Sequence, residues 1–242
     1  MSDIARSGEP RGGAVLPAPE VVLSVAVIAL FASWPPAGAF DFWLQAHLFD
    51  FSAGGWLVPP DSRGLLYWLF YRGPKMLLAA AAAAILLRLL AAALRRRWRD
   101  ADTRLLLALC VVGLTPLIVG MLKTVTGVSC PSQEIAFGGP YFHVAIWDRL
   151  SGLVPFDQGL RCWPGGYASA GFGLLGYRLL APARLSPGLR YWLPGLAAGW
   201  VLGIFQMMRG QHYLSHTVVT MALAILVSSL ALAIRDRLTY RC

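Results

Sequence analysis

Apolar runs separated by short polar stretches dominate the chain, and six of them suit a bilayer: about 20–34, 73–94, 104–122, 165–181, 191–208 and 212–234. A hydrocarbon core about 30 Å thick asks for roughly 20 apolar residues in a helix. The first run, VVLSVAVIALFASW, is short, and spans if Pro19 and Trp34 mark its ends. The second, rich in Ala and Leu, closes on Arg95-Arg96-Arg97-Trp98-Arg99. Such a block is the strongest orientation signal in the chain and assigns this end to the cytoplasm. Arg88, about two turns inside, is expected to snorkel toward the same interface. Arg178, Arg184 and Arg190 near the end of the fourth run, and Arg235, Arg237 and Arg241 beyond the sixth, mark the same side. The predicted fold is all-α, an integral membrane six-helix bundle with both termini inside.

The remaining stretches break this pattern. Residues 1–19, with Arg6, Arg11 and several prolines and glycines, read as a disordered cytoplasmic tail ahead of a single membrane domain, 20–238. Ala37-Gly38-Ala39 resembles a signal-peptidase site, but the polar segment before the first run is long for a signal peptide, so a retained anchor is expected. Segment 40–72 is too polar for the bilayer core. Its Trp43, Phe49, Trp56, Tyr67 and Trp68 predict an external amphipathic helix in the headgroup layer. Segment 123–160 reads as an external loop, its scattered Gly and Pro arguing against another span.

Composition sharpens the class. Of 242 residues 57% are apolar and 14% charged, outside the range of an ordinary soluble domain. Lys and Arg outnumber Asp and Glu by 21 to 12, but the arginines cluster beside apolar runs as topology signals. The bilayer, not nucleic acid, is the expected partner. Of the four cysteines, Cys130 and Cys162 each border a polar stretch on the predicted outer, oxidising side and are candidates for a disulfide.

Three polar islands fall on that outer side: Lys123 to Pro131, Arg161 to Tyr167, and Arg209-Gly-Gln-His212-Tyr-Leu-Ser-His216. In a helix, the spacing of Arg209, His212 and His216 puts all three on one face. Lys123, Arg161 and Arg209 at one membrane surface suit a multiply charged oxyanion such as phosphate. Histidines beside it suit nucleophilic and proton-transfer work near neutral pH. The plain alternatives are a polar turn between two helices and basic residues meeting anionic headgroups nonspecifically. A third is a metal site, because His-x3-His is a zinc-ligand spacing, although position 213 is Tyr and no third ligand is obvious.

Order and spacing give a further lead. Lys123-Thr-Val-Thr-Gly-Val-Ser-Cys130-Pro131, Trp163-Pro164-Gly165-Gly166-Tyr167-Ala168-Ser169 and Arg209 to His216 resemble, in that order, the three blocks K-x6-RP, PSGH and SR-x5-H-x3-D. These mark the type 2 phosphatidic acid phosphatase (PAP2) superfamily of membrane lipid phosphatases. The resemblance covers roughly residues 100–230 and is nearest a bacterial branch with blocks like K…CPW, FPxGHASAG and RGAHFxSH. It implies a phosphatase or phosphotransferase acting on a lipid phosphate or diphosphate at the periplasmic face of the inner membrane. No cofactor is implied. By the resemblance, Lys123 and Arg209 bind phosphate, with Arg161 nearby, Gly165 and Gly166 supply backbone amides, and His212 is the nucleophile that becomes phosphohistidine.

Four departures mark this chain. Cys130 stands where the first block has arginine, Gln206 where strict count puts the third-block arginine, and His216 where the family has its orienting acid. Tyr167 replaces the second-block histidine that protonates the leaving oxygen, and a phenol with an unperturbed pKa near ~10 is a sluggish acid at neutral pH. His143 in the external loop is the candidate substitute. The second reading is therefore a PAP2-type protein that binds a phospholipid headgroup without cleaving it.

Overall fold

The computed structural model describes residues 19–33, 35–59, 64–157, 159–181 and 188–239. The tail before Pro19, and with it Arg6 and Arg11, lies outside them, as do Trp34, Arg184, Arg241 and Cys242. Helix occupies each of the six predicted runs: α1 (Pro19–Ser33), α3 (Leu65–Leu94), α4 (Asp100–Thr126), α6 (Gly166–Phe172, running on as 3-10 helix through Gly173–Leu180), α7 (Leu189–Met207) and α8 (Leu214–Thr239). Two further helices are α2 (Pro35–Ala46) and the short α5 (Ile146–Leu150). Among the described residues three helices are long and apolar enough to cross a membrane: Leu65–Leu94, the helical stretch Asp100–Gln133, and Leu214–Leu238. This is a membrane protein built from helices.

Burial ranks those helices. In the most apolar window of α3 only 6% is buried within the protein, against 50% in α8. A helix apolar all round needs an apolar surrounding on every side, so α3 turns its surface to lipid while α8 stands in the middle. Ala108 and Val111 of α4 meet Leu179 and the α8 pair Ala231 and Leu232 at one end. Ala168, Phe172 and Leu175 pack against Ala224 of α8 further along. Helices α6 and α7 approach closely at Gly171 and Gly199: a Cβ on Gly171 would collide with the Ala198 backbone at 2.6 Å. Small residues at helix contacts allow such approach, and the packing itself holds helices together in lipid.

Several sequence expectations are revised. Segment 40–72 is not one amphipathic helix. It comprises the end of α2, a hairpin of two-residue strands β1 (Phe49–Asp50) and β2 (Gly55–Trp56), and the first turns of α3. The break follows from local chemistry: Asp50 Oδ1 accepts from Ser52 N and Ala53 N at 2.9 and 3.1 Å, a side-chain-stabilised turn, and Gly54 follows with φ +64°. The second apolar helix consequently begins at Leu65 rather than 73, with a π-helical stretch over Trp68–Arg72. Arg88 does not snorkel alone. Its guanidinium pairs at 2.7 Å with the buried Asp102 at the start of α4. Arg178 is no surface topology mark. It is 1% exposed, stacks over Trp192 at 3.6 Å, pairs with Glu20 of α1 at 2.8 Å and donates to Ser228 of α8. Its Nη1 and Nη2 are paired while Nε is buried without a hydrogen-bond partner, and the group ties its own helix to α1, α7 and α8.

Candidate active site

Three loops meet at one end of the bundle, and short polar contacts fix them. The first leaves α4, whose C-terminus Gly127 caps with φ +60°. There Thr126 Oγ1 donates to Trp163 O at 2.7 Å and Cys162 N donates to Val128 O at 3.0 Å, which lays the first island beside the second. A disulfide joins Cys130 to Cys162 with their Cα atoms 5.1 Å apart. The third island follows α7, and the N-terminal segment clasps it. Gln45 Nε2 donates to Met207 O at 2.7 Å and Val58 N to Met208 O at 3.1 Å, while from the loop after α4 Ser132 N donates to Gly210 O at 2.8 Å. Trp56 packs against Gly210, which turns with φ +65° where no larger residue fits.

Of the two possibilities for residues 209–216, one helix or a turn around Arg209-Gly210 leading into the sixth run, the turn is what forms. Residues 208–213 lie between helices, and α8 begins only at Leu214. Arg209 and His212 are therefore brought together by a turn, not by helical spacing.

The islands enclose a cavity of about 930 Å³. It is lined by Lys123, Arg161, Gly166, Tyr167, Arg209 and His212 from the predicted set, and by Lys75, Tyr67, Tyr71 and Gln206 besides. Among the described lining residues four are cations and none is a carboxylate. Gly166 has a specific part. A Cβ there would stand 3.0 Å from Lys123 Nζ, so the missing side chain is what lets the ammonium lie against the backbone. Gly165 does something other than expected: its N–H donates to His216 O at 3.1 Å and is not turned to a ligand. Thr220 Oγ1 lies 2.7 Å from the same carbonyl and 3.2 Å from Gly165 O, which locks the second island onto α8.

His212 is 5% exposed, with Nδ1 3.5 Å from Cys162 Sγ. His216 stands behind it, ring centroids 6.0 Å apart at 61°, and its Nδ1 is buried without a hydrogen-bond partner. Cys162, His212 and His216 bring potential metal-ligating atoms within 4.8 Å of one another. The sulfur, however, is bonded to Cys130, which leaves two imidazoles, short of the three protein ligands a zinc site needs.

One wall is aromatic. Tyr67 stacks on Tyr71 at 4.7 Å, and Tyr71 stacks on Tyr167 at 4.7 Å with the planes 7° apart. The Tyr167 hydroxyl donates to the Tyr71 backbone carbonyl. Arg209 Cζ lies 5.7 and 5.6 Å from the Tyr67 and Tyr71 centroids, and Lys75 Nζ lies 4.8 and 5.4 Å from those of Tyr71 and Tyr167. These are cation–π distances. The sequence reading missed Lys75 and Tyr71 and took Tyr67 for an interfacial anchor. Their spacing of four, Tyr67, Tyr71, Lys75, was the available signal, hidden by dividing the helix near residue 72.

Behind the histidines lies a second polar cluster. Glu134, 1% exposed, accepts from Ser129 Oγ at 2.8 Å and Tyr213 Oη at 2.7 Å, and pairs with His143 Nδ1 at 2.9 Å. His143 thus faces Glu134 and is not among the residues lining the cavity. Burial disfavours its charge, but the hydrogen bond and the charge of Glu134, with Asp148 and Asp41 beyond, outweigh this and raise its pKa. Asp41 of α2 accepts from Ser215 N at 2.9 Å at the start of α8. Burial pushes its carboxyl up to about 6, against the opposing pull of Ser215 and His143.

A family model, that of the PAP2 superfamily, matches residues 103–240, more than half of the chain. The chain belongs to the PAP2 superfamily. No curated protein and no solved structure matches it. PAP2 membership supports a phosphatase-type function, and the match covers Lys123, the second island and the third while leaving α1 to α3 outside it.

Proposed function

We propose that this PAP2 protein is a membrane lipid phosphatase or phosphotransferase that takes a lipid phosphate or diphosphate at the periplasmic face of a bacterial inner membrane. One observation carries the reading: His212 shares a cavity with Lys75, Lys123, Arg161 and Arg209, and no carboxylate is among the described residues that line it. Such a cavity attracts a multiply charged oxyanion, and a guanidinium and an ammonium together bind phosphate oxygens from two sides. Lys123 and Arg209 hold the phosphate, Arg161 at the exposed rim draws it in, and Gly166 leaves room for Lys123 to reach it. His212 attacks phosphorus to give a phosphohistidine, which water or an acceptor hydroxyl then cleaves. Pro116 and Ala170 line the same cavity and give the first carbons of a lipid chain an apolar surface, with α3 next to lipid.

A second reading, headgroup binding without cleavage, draws on one specific observation: position 167 offers a phenol whose proton is already donated to Tyr71. Phosphate release by the purified protein from phosphatidyl, polyprenyl and lipid A phosphates separates the two. The hydrolase reading expects release that the His212→Ala variant lacks. Binding of the same lipids with no release above that variant would leave the binder.

A further inference from the structure

Lys75 comes to the cavity from α3, outside the residues that define the family match. An ionisable side chain within a spanning helix is costly and is kept where it meets a partner or a ligand. Arg88 of the same helix has its partner in Asp102, whereas Lys75 makes no ion pair among the described residues. It rests over Tyr71 and Tyr167 at 4.8 and 5.4 Å, contacts that favour the charged ammonium.

Burial orders the cavity from inside to outside. His212 and Arg209 are buried in the bundle, while Lys75 is exposed, on the helix that faces lipid. The two cations nevertheless flank one ring: Arg209 Cζ lies 5.6 Å and Lys75 Nζ 4.8 Å from the Tyr71 centroid. A headgroup whose terminal phosphate reaches Arg209 and His212 thus leaves the part nearest its lipid chain beside Lys75.

Residue 167 adds an independent constraint. The resemblance calls for a histidine there to protonate the leaving oxygen, and the phenol in its place has given its proton to the Tyr71 carbonyl. An alkoxide, about as basic as hydroxide, leaves only with such a proton. A phosphate ester, whose last proton has a pKa near ~6, leaves as a stable anion at neutral pH and asks for a counter-charge instead.

We propose that Lys75 makes this site selective for a lipid diphosphate, its ammonium binding the phosphate joined to the lipid while Lys123 and Arg209 hold the terminal one. This assignment rests on the phosphatase reading and narrows its substrate. The His212 imidazole forms a bond to the terminal phosphorus as the bond from that phosphorus to the bridging oxygen breaks. The electron pair leaves with the bridging oxygen, now part of a lipid monophosphate whose added charge faces Lys75. Water then attacks the phosphohistidine and the phosphorus–nitrogen pair returns to the imidazole. One water proton stays on the inorganic phosphate and the other passes to solvent.

The test gives the full chain, in detergent micelles, farnesyl diphosphate and farnesyl monophosphate, which share one lipid chain. The unaltered protein is expected to release inorganic phosphate from the diphosphate with kcat/KM at least about tenfold higher, leaving farnesyl monophosphate as the other product. Lys75→Gln is expected to lower kcat/KM about tenfold or more on the diphosphate and less than about threefold on the monophosphate, a split that a merely structural loss would not produce. Equal kcat/KM on the two substrates in the unaltered protein, equal losses on both in Lys75→Gln, or no loss on the diphosphate would each overturn the assignment while leaving the phosphatase reading in place. Failure of that reading looks different: no release from either substrate by the unaltered protein above His212→Ala, which would end both proposals.

Discussion

Tyr167 and Tyr71 lie face to face at 4.7 Å, and the hydroxyl of the first is donated to the backbone carbonyl of the second. The residue that departs furthest from the family pattern is therefore a structural joint between the second island and α3. That joint brings Lys75, stacked over the Tyr71 and Tyr167 rings, to the cavity wall.

Separating the stack from the hydroxyl tests the joint. Tyr167→Phe keeps the ring and loses one hydrogen bond, a loss of about 1 kcal/mol in thermal stability. Phosphate release is expected to stay within about threefold of the unaltered protein, because the phenol's proton is held by the Tyr71 carbonyl. Tyr167→His loses the hydroxyl donation to the Tyr71 carbonyl and should give no release beyond that level. A large gain from histidine would mean that the site is a decayed version of the family pattern.

The Cys130–Cys162 bridge closes a segment with a sequence separation of 32 and pins the first island to the second. Replacing both cysteines by serine is expected to cost about 3 kcal/mol, from the freedom the unfolded chain regains. Thermal melts in detergent should show this as a lower midpoint, and phosphate release should fall as Lys123 and Gly166 lose their fixed spacing.

Stability should depend on pH through the cluster behind the histidines. The raised pKa of His143 adds stability that is complete below its unfolded value and lost as pH rises through the folded one. Asp41, raised to about 6, works in the same direction, because the folded state favours its proton and loses that advantage as pH rises between the ordinary value 3.8 and about 6. Melting midpoints should therefore fall from about pH 4 to pH 8. Asp41→Asn, which cannot ionise, should flatten the part of the fall below about pH 6.

Arg178 offers a test of the packing. Arg178→Met fills similar space but strands Glu20 and the Ser228 hydroxyl. Removing one partner of a buried pair costs about 3 to 5 kcal/mol, and less here because the Glu20 side chain left behind is 31% exposed. The predicted result is a clear drop in melting midpoint with kcat unchanged in the protein that remains folded, as Arg178 is absent from the cavity-lining residues.

Much of the plan was legible in the chain. Apolar runs located the six helical stretches, because a bilayer leaves the backbone little choice but helix. The spacing of Lys123, Gly166, Arg209 and His212 pointed to residues that do share a cavity. What the sequence hid was the partners of single charges. Arg178 looks like any cytoplasmic arginine until Glu20 and Trp192 are seen to surround it. Gly165 and Gly166 look alike in the sequence, yet one amide is used up by His216 while the other residue accommodates Lys123. Lys75 was out of reach for a different reason: α3 begins at Leu65, and dividing it near residue 72 separated Lys75 from the tyrosines on its own face.

The central claim is that His212 takes the phosphoryl group. The most direct measurement is alkaline quench of the protein during turnover of a lipid phosphate labelled at phosphorus, followed by peptide mapping. The account predicts acid-labile, base-stable label on the peptide containing His212, and none in His212→Ala. Phosphate release by an unlabelled protein, persisting in His212→Ala, would contradict it.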